Sequence, residues 1–126
     1  MKEFKIFIKH KPGELAKVTE ALAGRAVNIK AIASEADGDR ASLRVVTNDI
    51  NTTIKALDEN GTQFEQNDIL MLSLIDRPGE LSKIAKILGK AKINIESIYI
   101  LGQKNGKTDV ALVVDNIEKA QERLNR

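Results

Sequence analysis

Apolar residues recur along the chain with two periods. Phe4, Ile6 and Ile8 alternate with Lys5, Phe7 and Lys9, and period two buries one side of a strand. Leu15, Val18 and Leu22 then follow at i, i+3 and i+7, which lines one face of a helix. Asn28 to Glu35 and Ala41 to Val46 read as two strands joined through Asp37-Gly38-Asp39. Ile50, Ile54 and Leu57 predict a second helix, preceded by Asn48-Asp49 and stopped at Asn60-Gly61. Thr62 to Gln66 completes the set as a strand. The order is βαββαβ, an α+β, ferredoxin-like arrangement with two helices on one face of an antiparallel sheet.

The whole pattern then repeats. Lys11-Pro12-Gly13-Glu14-Leu15 returns as Arg77-Pro78-Gly79-Glu80-Leu81, and Asn28-Ile29 returns as Asn94-Ile95. Both pairs are displaced by 66 positions, since 78 minus 12 equals 94 minus 28. The same offset carries the first strand onto Leu70, Leu72 and Leu74, and the helical stripe onto Leu81, Ile84 and Leu88. Asn94 to Leu101 and Asp109 to Val114 read as a hairpin through Lys104-Asn105-Gly106-Lys107, with a loop two residues longer than the first. Asp115-Asn116 then precedes Ile117, Ala120 and Leu124. There the pattern stops, so the second repeat is expected to lack its last strand. The expected boundary falls between residues 1–67 and 68–126, with no Pro/Gly/Ser-rich linker.

Composition narrows the chemistry. The 126 residues are 42% hydrophobic and 30% charged, an ordinary globular balance. No run approaches the ~18 consecutive apolar residues of a membrane span, and the lysines of the first strand do not suit a signal segment. A cytoplasmic protein without membrane contact is the expectation. With no cysteine there is no disulfide, thiolate metal site or cysteine nucleophile. Twenty basic residues interleave with 18 acidic ones, a net charge of +2 that predicts no strong attraction to a phosphate backbone. RNA recognition motifs share the βαββαβ order, but they stack bases on aromatic residues of the central strands, and Ala41 to Val46 and Asp109 to Val114 contain none. No nucleic-acid partner is expected. Neither a nucleophile-base constellation nor a metal-ligand cluster nor a phosphate loop is present, so no catalytic residue, metal or cofactor is assigned.

A short apolar strand, Asp-Arg-Pro-Gly-Glu-Leu, an amphipathic helix and Ile-Asn-Ile-Glu opening the next strand resemble the ACT domain, a small-molecule-binding regulatory module. The resemblance covers essentially the whole chain, twice. It implies a free amino acid bound near the first strand-to-helix loop, at an interface between two such domains. The local chemistry is compatible with this. Gly13 and Gly79 lack a Cβ, so a ligand can approach the backbone, and the N–H groups of Glu14, Leu15, Glu80 and Leu81 open helices and favour a carboxylate. Asp76 could hold an α-ammonium group, and Asn28 and Asn94, each followed by isoleucine at Ile29 and Ile95, could donate and accept together. His10 stands where the second repeat has Asp76, which sets the two loops apart. Pro-Gly is also ordinary turn chemistry, and a lone histidine between lysines is commonly a solvated surface residue. The expected site is the loop Asp76 to Leu81 facing Asn28 or Asn94. The alternative is a ligand-free interaction module that regulates a separate enzyme or transporter.

The two sheets differ on the side expected to face away from the helices. In the first repeat those positions are Lys5, Lys9, Lys30, Ser42 and Arg44, all polar. In the second, with the strand after the longer loop displaced by 68, they are Met71, Ser73, Ile75, Ile98, Ile100, Val110, Leu112 and Val114. An apolar face of that size needs a cover, and a homodimer packed sheet against sheet is the expected partner.

Overall fold

The structure, a computed structural model, describes residues 1–124. The chain divides into two compact units, Met1–Asn67 and Asp68–Arg126. In the first, β1 (Lys2–Lys9), α1 (Glu14–Ala23), β2 (Ile29–Asp37), β3 (Arg40–Thr47), α2 (Ile50–Glu59) and β4 (Gln63–Asp68) follow one another. Its sheet runs β2-β3-β1-β4, the strand order of a ferredoxin-like fold. In the second, β5 (Leu70–Ile75), α3 (Glu80–Lys90), β6 (Ile95–Lys104), β7 (Lys107–Val114) and α4 (Ile117–Leu124) form the same structure without a fourth strand among the described residues, and the sheet runs β5-β7-β6.

Each unit closes its own core. Phe4, Ile6, Leu43 and Val45 meet Val18, Leu22, Ala56 and Leu57 in the first unit, and Phe64 packs against them. Leu70, Val110 and Leu112 meet Ile84, Leu88, Ala120 and Leu124 in the second. The predicted helical stripes reach the core from their second member onward. Leu15 and Leu81, in the first turn, stay 47% and 42% exposed.

Helix ends explain why the repeats superimpose in sequence. Gly13 and Gly79 precede α1 and α3 at φ 90 in both cases, a left-handed conformation natural to glycine. At the other end the chain turns through Ala26 and Lys92, both at φ 58. Val27 N–H then bonds back to the Leu22 carbonyl at 3.0 Å, and Ile93 N–H to that of Leu88 at 2.9 Å. This six-residue closure satisfies orphan carbonyls and buries Val27 and Ile93. The helix α2 ends likewise with Gly61 at φ 67, and its start is capped by the Asp49 side chain accepting from Thr52 N–H at 3.2 Å.

The hairpins correct one expectation. Both turns contain two residues, Gly38-Asp39 and Asn105-Gly106, so the second is not longer. The additional residue lies within β6, where the pairing shifts between Ile100 and Gly102 and Leu101 is bulged. Phe4 pairs with Val45 and Leu70 with Leu112, so β7 is displaced from β3 by 112 minus 45, which is 67 positions. A one-residue change in register moves every side chain to the other face. Val110, Leu112 and Val114 therefore face the helices, and so do Ile98 and Ile100, which lie opposite Leu112 and Val110. The face away from the helices carries Met71, Ser73, Ile75, Ser97, Tyr99, Asp109, Ala111 and Val113, a mixed set instead of the expected apolar one, and Ser97, Tyr99, Ala111 and Val113 of it are buried.

Candidate functional site

In each unit the first strand-to-helix loop lies at the hairpin-turn end of the sheet. Asp76 N–H donates to the Gly106 carbonyl at 2.8 Å, and His10 N–H donates to that of Asp39 at 2.7 Å. These bonds pin both loops where β1 and β5 end. After the pin, Arg77 N–H bonds to the Ile75 carbonyl and Lys11 N–H to that of Lys9, which turns the chain toward Pro-Gly. No side chain caps α1 or α3. Their first-turn N–H groups are left without a side-chain acceptor, and the only carboxylates there, Glu14 and Glu80, are engaged elsewhere.

Glu80 accepts from Lys83 Nζ at 2.9 Å and from Arg77 Nε at 3.3 Å. Those bonds, Lys83 first, hold its carboxyl below the usual carboxylate range. Glu14 is held low in the same direction, chiefly by its 3.0 Å bond to Lys17. Asp76 is exposed and receives only a long 3.5 Å contact from Gln103 Nε2. Its carboxylate is thus open to a cationic group. His10 is also exposed, but its Nδ1 lies 3.1 Å from the Gly38 carbonyl. A carbonyl accepts only, so Nδ1 carries the proton and Nε2 is the outward nitrogen.

The predicted site residues do not all meet within a unit. His10, Gly13 and Leu15 gather at one end of the first sheet, as Asp76, Gly79, Glu80 and Leu81 do in the second. Asn94 and Ile95 begin β6, at the far end of the strand whose other end holds Gln103 and Lys104 beside the hairpin turn. Ten residues of β6 separate those ends, roughly 30 Å at strand rise. Asn94 is moreover occupied: its Nδ2 and its backbone N–H both donate to the Asp115 carboxylate at 3.1 Å. Within the second unit the Asp76 loop therefore does not face Asn94, because β5 and β6 run parallel through α3. Asn28 occupies the corresponding far end of β2 and makes no side-chain hydrogen bond among the described residues.

Residues that the periodicity left unmarked complete the loop end of the first unit. A cleft of about 930 Å³ opens there. Lys9, His10, Lys11 and Glu14 form one wall, Asp39 and Arg40 of the hairpin another, and Asn60 to Gln63, leading from α2 into β4, a third. Arg40 and the Asn60 to Gln63 segment are remote from the loop in sequence, and only the sheet order brings them to it. No group of three or more acidic or histidine side chains among the described residues could hold a metal ion. No described helix is long and apolar enough to cross a membrane.

Comparison with known proteins places this geometry. A family profile described as an ACT domain pair matches residues 1–125. The chain is similar to protein BT0572 from Bacteroides thetaiotaomicron, with 30% identity and a TM-score of 0.87 over 98% of this chain and 85% of that one. It shares its fold with the ligand-free regulatory subunit of aspartate kinase from Thermus thermophilus, at 21% identity and a TM-score of 0.69 over 97% and 88% of the two chains. The regulatory subunit of aspartate kinase from Thermus flavus is similar at 22% identity and a TM-score of 0.64, over 98% and 87%. No protein with a curated description matches the sequence.

Proposed function

The chain belongs to the family of ACT domain pairs, and from that membership we propose that it is a cytoplasmic regulatory protein, not an enzyme, that binds a free amino acid at its strand-to-helix loops. One observation carries the reading. Both units enter their first helix through a left-handed glycine with no side-chain cap, and in the second unit the exposed Asp76 carboxylate precedes that helix start. An α-carboxylate suits the uncapped N–H groups and an α-ammonium suits Asp76, so the two charges of a zwitterion find opposite partners. The fold likeness to regulatory subunits of aspartate kinase supports a regulatory module, since it covers nearly the whole chain.

A thermal-shift screen against the twenty amino acids tests this directly. A ligand at about 100 times its dissociation constant adds about 2.7 kcal/mol of stability. Asp76→Ala should abolish that shift while the unliganded melting curve stays in place. A full shift in the variant would remove Asp76 from the site.

Homodimerisation belongs to the same proposal, with its contact moved from the outer face to the edge strand β6. Ile98 and Ile100 lie on the helix side of that strand yet remain 42% and 63% exposed. Exposed apolar side chains on the outermost strand of the three-stranded sheet favour association. Sedimentation of the unmodified protein as a monomer at micromolar concentration would exclude it.

A further inference from the structure

We infer that the cleft of the first unit binds a small molecule carrying more than one negative charge. The inference deepens the proposed reading, on which it rests for placing a small molecule at this loop. The carrying observation is a charge conflict. Lys9 on β1 and Arg40 on β3 lie directly opposite each other in the sheet register, and both line the cleft. Like charges at opposed cross-strand positions repel. Neither has a carboxylate within salt-bridge distance among the described residues, and Asp37, opposite Arg40 on β2, is not a cleft residue. Lys11 adds a third cation beside them.

The lining carries four cations, Lys9, Lys11, Lys17 and Arg40, against two carboxylates, and of these Glu14 also feels the charges of Lys11 and Lys9. Glu14 is tied to Lys17 at 3.0 Å, which leaves Asp39 as the one other carboxylate in the lining. His10 contributes no negative charge, and its Nδ1 is turned to the Gly38 carbonyl, so Nε2 is the nitrogen left for a ligand. A cleft of about 930 Å³ is larger than a single ion requires and falls within the range of organic ligand sites. An anion bridging Lys9 and Arg40 would replace their repulsion with two charge-assisted hydrogen bonds. The second repeat has Ile75 and Asp76 where the first has Lys9 and His10, so it lacks this cluster.

Pyrophosphate and citrate serve as probes, titrated calorimetrically into the full chain at low ionic strength. The first stands for phosphate esters and the second for polycarboxylates, and the tighter of the two identifies the source. Saturable binding of either one, weakened at least about tenfold by 0.2 M salt, is expected, since exposed charge pairs are screened. Lys9→Glu should lower affinity at least about tenfold and at the same time raise the melting temperature of the unliganded protein, because it turns a repelling cross-strand pair into an attracting one. Misfolding cannot mimic that combination. Asp76→Ala should leave polyanion binding unchanged while removing the amino-acid response, which separates failure of this inference from failure of the reading beneath it. Absence of binding by both probes below millimolar concentration, or unchanged affinity in Lys9→Glu, would overturn the inference.

Discussion

The two repeats agree wherever the backbone is constrained and differ in the loop side chains and on the side of the sheet away from the helices. Gly13 and Gly79 share φ 90, Ala26 and Lys92 share φ 58, and Leu22 and Leu88 are both fully buried. Yet Lys9-His10-Lys11 stands in one loop and Ile75-Asp76-Arg77 in the other. The sheets differ in the same way. Glu3 in the first is buried on the side away from the helices and bonds to Arg44 at 3.3 Å and to Asn67 at 2.9 Å. The second has Ile69 and Ala111 at the matching positions. One scaffold thus holds two chemistries, because its geometry depends on shared apolar and left-handed positions while the side chains beside them differ.

Breaking the Glu3 pair is the strongest way to test that division. Arg44→Ala removes the guanidinium that lies 3.3 Å from the buried Glu3 carboxylate and should cost up to about 3 kcal/mol in urea denaturation. Importing the second repeat's solution with Glu3→Ile and Arg44→Ala together should recover most of that loss, because an apolar pair carries no desolvation penalty. If the double variant is as unstable as the single one, the two sheets are not interchangeable at this position.

A smaller effect sharpens the agreement at the helix ends. Ala26 and Lys92 occupy a conformation that costs an L-residue about 1–2 kcal/mol and glycine almost nothing. Glycine also loses more chain entropy on folding, so Ala26→Gly and Lys92→Gly should each stabilise by about 0.5–1 kcal/mol. Equal gains in the two variants, read from thermal or urea unfolding, are expected from equal φ. Unequal gains would mean that the closures are not equivalent.

The smallest effect is the pH response of the helix starts. Glu14 and Glu80 both titrate below the ordinary value of 4.5, so their ion pairs stabilise the fold above that value. The contribution disappears as pH falls through their lowered values in the folded state. Glu80 has two cationic partners and Glu14 has one, so Glu80→Gln should flatten the acid limb of the stability profile more than Glu14→Gln does. Their cationic partners Lys17, Arg77 and Lys83 are exposed to solvent, and the changes should be small.

Much of the fold was legible in the sequence because its determinants are local. Period two marked the first strand of each repeat, helical spacing marked the helices, and Pro-Gly and Asn-Gly marked the breaks. An offset of 66 exposed the repeat without any structure. The limit appeared at Leu101, where one bulged residue shifted β7 by 67 positions instead of 68 and exchanged its faces. A bulge leaves no compositional mark here, since Ile-Leu-Gly reads equally well as strand or turn. Spacing alone could not say which side of the sheet Val110 and Leu112 occupy.

For the candidate site the division is sharper. The sequence by itself determined that two loops would enter two helices through Pro-Gly, that one would carry Asp76 and the other His10, and that no cysteine chemistry was available. These are properties of neighbouring residues, and short-range sterics and composition suffice to read them. Only the tertiary structure decided that Asn94 lies roughly 30 Å along β6 from the Asp76 loop, already bonded to Asp115. It alone set Arg40 opposite Lys9 and brought Asn60 to Gln63 to the same cleft. Strand order and register make those contacts, and they join residues tens of positions apart through hydrogen bonds that any sequence of similar pattern could form.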